Sequence, residues 1–186
     1  MTGDKEALRR HFRAHPGSGD DDALQDRLLR HPWFREAEAV MAFVPMAAEP
    51  GLSRVLREIL DSGRTLALPR CEDGTRMTAR RVLSLEALVP GPFGIPEPAP
   101  EAPPMDPGKL DLVLTPGMAF DRRGGRLGRG KGYYDRFLAC TEARTIGLCY
   151  DTNLIPFVPM DGHDRPMDAL VTDRERLFFG RKEGNL

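Results

Sequence analysis

Cysteine is scarce in this sequence, and its spacing excludes two common kinds of stabilisation. The chain has 3 cysteines, Cys71, Cys140 and Cys149, and no two of them form a CxxC pair. An odd number without that spacing argues against a disulfide framework and against a structural zinc site. Reduced thiols are typical of the cytoplasm, which is the compartment that we expect.

Long apolar runs are also missing. No segment approaches the ~20 consecutive apolar residues that a membrane helix needs. The N-terminal stretch MTGDKEALRRHFRAH is polar and lacks the apolar core of a secretory signal. We therefore expect a soluble protein without a membrane partner. A length of 186 residues, 40% of them hydrophobic, suits a single domain over residues 1–186.

The chain has no excess of charge of one sign. Its 27 basic and 28 acidic residues leave a net charge of -1. Dedicated nucleic-acid proteins are usually clearly basic, so we expect no nucleic-acid partner and only a local attraction for anions. No strong apolar stripe is left over for a partner subunit, and we expect a monomer.

The hydrophobic pattern predicts alternating strands and helices. Short apolar runs indicate buried strands, and a polar segment after a turn indicates another. Helices are indicated by apolar residues at helical spacing behind acidic caps. This alternation predicts an α/β fold with a mainly parallel sheet covered on both faces. The predicted strands are 39–44, 65–69, 76–82, 111–115, 144–149 and 168–172, and the predicted helices begin near Asp4 and span 22–31, 52–60 and 132–139.

Proline is concentrated in one place, residues 90–108, which contain eight prolines and three glycines. This composition predicts an absence of regular structure. A long loop in a compact domain is often functional.

The stretch GGRLGRGKGYYD, residues 124–135, carries the clearest chemical signal. Gly125 and Gly130-Lys131 have the spacing of a P-loop, but Gly132 stands where a P-loop has the Ser or Thr that holds magnesium. Glycines nevertheless let backbone amides approach a phosphate, and cations beside a helix start attract anions. Two alternatives remain open at this point: a solvated surface turn, and an RNA-binding or regulatory loop whose tyrosines stack on bases.

A longer segment resembles a known family. TPGMAFDRRGGRLGRGKGYYDRFL, residues 115–138, closely resembles the signature of the 5-formyltetrahydrofolate cyclo-ligase family. Shorter matches follow in the same order: KEALR at 5–9, AFVPMAAEP at 42–50, FGIPEP at 93–98 and HDRPMDALVTD at 163–173. The resemblance implies a three-layer α/β sandwich with a Rossmann-like sheet. It also implies an ATP- and Mg²⁺-dependent ligase that converts 5-formyltetrahydrofolate to 5,10-methenyltetrahydrofolate.

The resemblance further implies roles for residues at matched positions. The ATP-binding set comprises Lys5, Arg9, Arg126, Leu127, Gly128, Arg129, Gly130, Lys131, Gly132 and Tyr134. The folate-binding set comprises Val44, Glu49, Phe93 and Tyr133. Arg129, Lys131 and Tyr133 are the expected catalytic residues, and Asp135 and Asp164 the expected Mg²⁺ ligands. The chain departs from the family pattern at Asn153, where a glutamine is usual, and at Pro50, directly after Glu49.

Overall fold

The computed structural model of the protein describes residues 4–72, 74 and 76–179, apart from the side chain of Phe93. Within these residues the chain forms five α-helices and thirteen strands. The helices are α1 (Lys5–Ala14), α2 (Asp21–Leu29), α3 (Pro32–Glu36), α4 (Ser53–Asp61) and α5 (Tyr133–Leu138). The strands are β1 (Ala39–Met41), β2 (Thr65–Cys71), β3 (Met77–Val82), β4 (Val89–Pro90), β5 (Pro96–Glu97), β6 (Pro104–Met105), β7 (Leu112–Pro116), β8 (Ala119–Asp121), β9 (Arg126–Leu127), β10 (Arg144–Leu148), β11 (Leu154–Ile155), β12 (Ala169–Val171) and β13 (Arg176–Phe178).

The predicted helix starts are confirmed. The Asp4 side chain accepts a hydrogen bond from the Glu6 amide, and Asp20 accepts one from the Ala23 amide. Each bond satisfies one of the amides that a helix start leaves unpaired. Gly63 has a φ of 76° just beyond α4, as a glycine that ends a helix often does. No helix in the described ranges is long and apolar enough to cross a bilayer.

The main sheet has eight strands in the order β13-β12-β10-β7-β1-β2-β3-β6. Its five central strands are parallel, from β12 to β2, and the three strands at its edges pair antiparallel. Strands β1 and β7 are neighbours in this sheet. The chain continues from β1 to β2, which lies on the far side of β1 from β7, and from β7 to β10, which lies on the far side of β7 from β1. Neighbouring strands whose connections leave in opposite directions open a crevice at their carboxyl ends, where α/β proteins bind ligands.

Side chains that alternate along the central strands form a core on each face of this sheet. Val40 packs with helices α2, α3 and α4, whereas Met41 packs with Phe137 and Leu138 of α5. Successive strand residues point to opposite faces, so one strand serves both cores. A third cluster joins Phe12 of α1 to Leu127 in a small sheet with the order β11-β8-β9. The predicted α/β sandwich with a mainly parallel sheet is therefore confirmed.

Several local predictions were wrong. The strand predicted over 39–44 ends at Met41, and the helix predicted over 22–31 ends at Leu29. Residues 90–108, expected to lack regular structure, hold the strands β5 and β6 and the end of β4. These pairs are only two residues long, because proline has no amide hydrogen to donate to a longer ladder.

Candidate active site

A cavity of about 300 Å³ lies in the crevice between β1 and β7. The segment that follows β1 contributes Val44 and Glu49 to its wall, and the segment that follows β7 contributes Pro116 and Gly117. Residues 128–135 close it from the other side. The topology thus brings together segments that lie far apart in the sequence.

A buried carboxylate shapes the turn that leads into the glycine loop, which we define as residues 124–132. Asp121 is 2% exposed. Its Oδ1 accepts bonds from the amides of Arg123 at 2.8 Å and Gly125 at 2.9 Å, and its Oδ2 accepts one from the Val158 amide at 2.8 Å. A carboxylate that accepts several backbone bonds holds a turn in one conformation. The sequence analysis did not identify Asp121, although an Asp before Arg-Arg-Gly-Gly is a turn signal.

Part of the glycine loop forms regular structure, which its glycine-rich composition did not indicate. Arg126 and Leu127 form the strand β9, and Leu127 is fully buried in the cluster around Phe12. The Leu127 side chain therefore packs in the core, and its carbonyl accepts a bond from the Met118 amide. Gly130 and Gly132 have φ values of 100° and 67°, which favour glycine. Gly128 does not have a positive φ, but a Cβ there would lie 3.1 Å from Arg126 Nη1.

Two of the three cations in the loop are paired with carboxylates. Arg126 Nη2 donates to Asp135 Oδ1 at 2.5 Å, and Arg129 Nη2 donates to Glu49 Oε1 at 3.1 Å. The Arg126 Nε is buried and has no partner among the described residues. Lys131 is exposed at the cavity wall, and its ammonium has no partner in the described ranges.

Glu49 is a buried carboxylate rather than a surface residue at a helix start. Its side chain is 7% exposed, and its Oε2 accepts a bond from the Met46 amide at 3.0 Å. The pair with Arg129 connects a predicted folate residue to a predicted ATP residue across the cavity.

The two tyrosines that follow the glycine loop, at the start of α5, differ in environment, although both line the cavity. Tyr133 donates its hydroxyl hydrogen to the Gly74 carbonyl at 2.6 Å. The Tyr134 hydroxyl is buried without a partner among the described residues. Burial, and to a lesser extent the charge of Glu49, raises the pKa of Tyr134 far above its ordinary value. Tyr134 is therefore a neutral hydrogen-bond donor. The side chain of the fourth predicted folate residue, Phe93, lies outside the described part of the chain.

Helix α1 contacts the glycine loop. Arg9 Nε donates to the Gly128 carbonyl at 3.0 Å. Lys5, one turn earlier, binds Asp161 at 2.6 Å and also Asp164. Partial burial acts to lower the pKa of Lys5, but its hydrogen bonds and the charges of both aspartates outweigh burial and raise the pKa above its ordinary value. The ammonium is thus held in its charged form.

The two predicted Mg²⁺ ligands lie in different surroundings. Asp135 lines the cavity beside Arg126, whereas Asp164 is grouped with Asp161 and His163, whose ligand atoms lie within 4.8 Å of one another. Burial acts to raise the pKa of Asp164, but the Asp161 amide and Lys5 outweigh it, and the pKa lies below its ordinary value. Each of the two aspartates is paired with a cation, Asp135 with Arg126 and Asp164 with Lys5.

The departure at Asn153 has a structural explanation. Asn153 is buried and donates from Nδ2 to the Met118 carbonyl at 2.8 Å. A Cβ at Gly17 would lie 1.6 Å from its Oδ1, so the segment between α1 and α2 passes directly over it. Asn153 thus connects two segments of the fold and does not line the cavity wall.

Comparisons with known proteins identify the family to which the chain is similar. The model of the 5-formyltetrahydrofolate cyclo-ligase family matches residues 5–173. A 5-formyltetrahydrofolate cyclo-ligase from Mycolicibacterium smegmatis is 35% identical over 148 residues, which cover 74% of this chain and 75% of that protein. The mouse protein of the same name is 29% identical over 166 residues, with 80% and 79% covered.

Solved structures show the same architecture. The 5,10-methenyltetrahydrofolate synthetase of Aquifex aeolicus superposes with a TM-score of 0.84 at 31% identity, over 98% of this chain and 95% of that one. The synthetase of Mycoplasma pneumoniae shares the fold with a TM-score of 0.73 at 19% identity, over 92% of this chain and 99% of that one.

Proposed function

The chain belongs to the 5-formyltetrahydrofolate cyclo-ligase family, and from this premise we propose that it converts 5-formyltetrahydrofolate and ATP to 5,10-methenyltetrahydrofolate, ADP and phosphate in the presence of Mg²⁺. One observation carries the proposal beyond family membership. A single cavity combines a glycine loop rich in cations with a buried carboxylate and apolar walls. Such a cavity suits a phosphate donor and a flat heterocycle side by side.

The proposed chemistry requires no nucleophile from the protein. The N5-formyl group is an amide and therefore a poor electrophile. Transfer of the γ-phosphoryl group to the formyl oxygen releases ADP, attack by N10 on the activated carbon forms the second C–N bond, and departure of phosphate leaves the methenyl bridge. Phosphoryl transfer of this kind depends on positioning and on charge stabilisation.

The phosphate side of the site is proposed to be the glycine loop and helix α1. Lys131 has no partner in the described ranges and is available to neutralise a transferring phosphoryl group. The buried Nε of Arg126 has no partner among the residues that the structure describes, and Arg9 is fixed against the loop by its bond to Gly128. Lys5 adds a charge one helical turn from Arg9.

The folate side is proposed to be the wall around Glu49. A buried carboxylate can accept hydrogen bonds from the ring N–H and amino group of a pterin. Val44 and Tyr133 line the same cavity, and Phe93 belongs to the segment that forms another wall. Tyr133 would then lie at the formyl end of the substrate.

Asp135 and Asp164 would hold Mg²⁺ together with the phosphates of ATP. Carboxylate oxygens are ligands that Mg²⁺ prefers, and both side chains already lie against a cation. Mg²⁺ would neutralise charge on the phosphates. In Asp135→Asn, we expect weaker Mg²⁺-dependent binding of a non-hydrolysable ATP analogue, which calorimetry would detect without turnover.

One assay tests the proposed function directly. The protein is mixed with 5-formyltetrahydrofolate, ATP and Mg²⁺, and the near-ultraviolet absorbance of the methenyl product is followed. An ATP-dependent rise is expected. No rise with folded protein would exclude the proposal and would favour the alternative of an RNA-binding or regulatory loop. That alternative is less well supported, because Glu49 and Asp135 already pair with two of the loop cations.

Lys131→Ala should lower kcat at least about a hundredfold, because it removes charge stabilisation from the transferring group. Lys109→Ala is the matched control: Lys109 is an exposed lysine outside the cavity. Both variants should unfold at the wild-type temperature. Wild-type turnover in Lys131→Ala would contradict the role assigned to this lysine.

A further inference from the structure

One wall of the cavity is a small hairpin that cannot be stable by itself. Residues 89–98, which we call the proline hairpin, contain β4, a 3-10 turn at Pro92–Gly94 and β5. Pro92, Ile95, Pro96 and Glu97 of the hairpin line the cavity. The Gly91 amide bonds the Ile95 carbonyl at 3.0 Å, but the prolines donate no amide hydrogen. An isolated two-stranded hairpin is marginal at best, so this wall needs an external anchor.

Arg70 of β2 supplies such an anchor. Its Nη1 lies 2.8 Å from Glu97 Oε1 and donates to the Pro98 carbonyl at 2.6 Å. The other carboxylate oxygen, Glu97 Oε2, accepts from the Cys71 amide at 3.4 Å. The two side chains are only 17% and 10% exposed. Removal of one partner from a pair this buried leaves the other charge uncompensated.

Glu97 also connects the two strands of the hairpin. A Cβ at Gly91 would lie 2.6 Å from Glu97 Cγ, so the methylene groups of Glu97 rest against the backbone directly after the first strand. Val89 and Glu97 are paired residues in the ladder. One side chain therefore links the first strand, the return strand and the main sheet.

We propose that Glu97, held by Arg70, is a positioning residue that sets the apolar hairpin wall at the distance a bound folate requires. This inference rests on the proposed function. The apolar part of the hairpin wall consists of Pro92, Ile95 and Pro96, and Glu97 reaches the cavity beside them. The phosphate side is formed by the glycine loop and α1. Displacement of a wall by about 1 Å is enough to impair substrate placement. Loss of the anchor should therefore affect folate and leave ATP almost unchanged.

Glu97→Ala tests the proposal. The KM for 5-formyltetrahydrofolate should rise about tenfold, with the KM for ATP within about twofold of wild type. Glu97→Gln keeps the length and one acceptor oxygen and should recover part of the loss. Calorimetry without ATP should show that 5-formyltetrahydrofolate binds most tightly to the wild type, less tightly to Glu97→Gln and least tightly to Glu97→Ala.

The neighbouring strand offers a matched control. Arg80 Nη2 lies 2.7 Å from Glu72 Oε1, with side chains 18% and 23% exposed, and Arg80 Nη1 donates to the Ala102 carbonyl at 3.1 Å. This pair also anchors a proline-rich segment, but neither Arg80 nor Glu72 lines the cavity. Glu72→Ala should leave the KM for folate unchanged. Equal losses in Glu72→Ala and Glu97→Ala would overturn the proposal.

Hydrogen exchange tests whether Glu97 and Arg70 hold the hairpin in place, independently of any effect on folate binding or turnover. Amides of residues 88–98 should exchange faster in Glu97→Ala and in Arg70→Met than in the wild type. The double variant should be no worse than Arg70→Met, because both changes remove one interaction. Unchanged exchange would overturn the anchor itself. A wild-type protein with no turnover would instead overturn the proposed function, and the folate role with it, whatever the exchange result.

Discussion

At the scale of single residues, two of the three cations of the glycine loop are already paired with carboxylates of the protein. Arg129 would otherwise be an exposed cation of the glycine loop, but it donates two hydrogen bonds to Oε1 of the buried Glu49. The sequence places these residues 80 positions apart, and no local pattern relates them. Resemblance to the family suggested both residues, yet their contact depends on how the sheet brings two segments together.

Glu49→Gln tests the folate role at this scale. Gln keeps the shape but replaces one acceptor oxygen by a donor, so a pterin would meet a mismatched partner. Affinity for 5-formyltetrahydrofolate should fall at least about tenfold, and affinity for an ATP analogue should change by less than about threefold. Isothermal titration measures both.

Glu36→Gln is the control, since Glu36 also pairs with an arginine, Arg144, at the start of β10. It should bind both ligands as the wild type does. Equal losses for folate and ATP analogue in Glu49→Gln would argue against a pterin contact.

At the scale of elements, the glycine loop owes its shape to a turn that is fixed from outside. Gly124 has a φ of 86°, and a Cβ there would lie 2.7 Å from the Met167 carbonyl. The Met167 amide also bonds the Gly124 carbonyl at 2.9 Å. The turn is thus set by Asp121 on one side and by the segment before β12 on the other.

Gly124→Ala should lower the free energy of unfolding by about 3 kcal/mol, because a strained φ and a clash with backbone combine. Gly63→Ala is the matched control: its φ of 76° carries similar strain, but nothing lies within 4 Å of an added Cβ. That variant should lose only about 1 kcal/mol. Urea unfolding measures both values, and similar losses would show that the contact with Met167 adds no strain.

The elements differ in how far the sequence predicts them. Buried strands such as 144–149 and the amphipathic helix α4 were recognisable, because burial dictates their apolar pattern. The strand β9 was mistaken for open loop, since Arg126 and Leu127 stand among glycines and cations. The strand β9 forms by pairing with β8, and the two-residue strands β4 and β5 form by pairing with each other. Such pairings are tertiary contacts, which a local sequence pattern does not indicate.

At the scale of the whole molecule, we expect acid stability to depend on a buried histidine that does not line the cavity. His31 is fully buried, accepts a bond from the Trp33 amide at the start of α3 and stacks on Phe178. Burial, and then the charges of Arg176 and Arg144, lower its pKa to about 4. The unfolded chain therefore takes up a proton before the folded one as pH falls from about 6.5 to 4.

Stability should accordingly fall over this pH range, and His31→Asn should reduce the fall by up to about 3 kcal/mol. Asn keeps a cap at the helix start but does not titrate. Urea unfolding at a series of pH values measures the difference in slope between wild type and variant. Parallel curves would show that His31 does not contribute to acid denaturation.

The bond between Lys5 and Asp164 joins positions 159 residues apart. A ribosome must therefore synthesise most of the protein before the first helix meets its acidic partners. Phe12 of α1 likewise packs in a cluster whose other buried residues follow much later in the chain, from Met118 to Val158. A chain that ends before Asp161 would therefore leave Lys5 without either of the two aspartates that bind it in the folded protein.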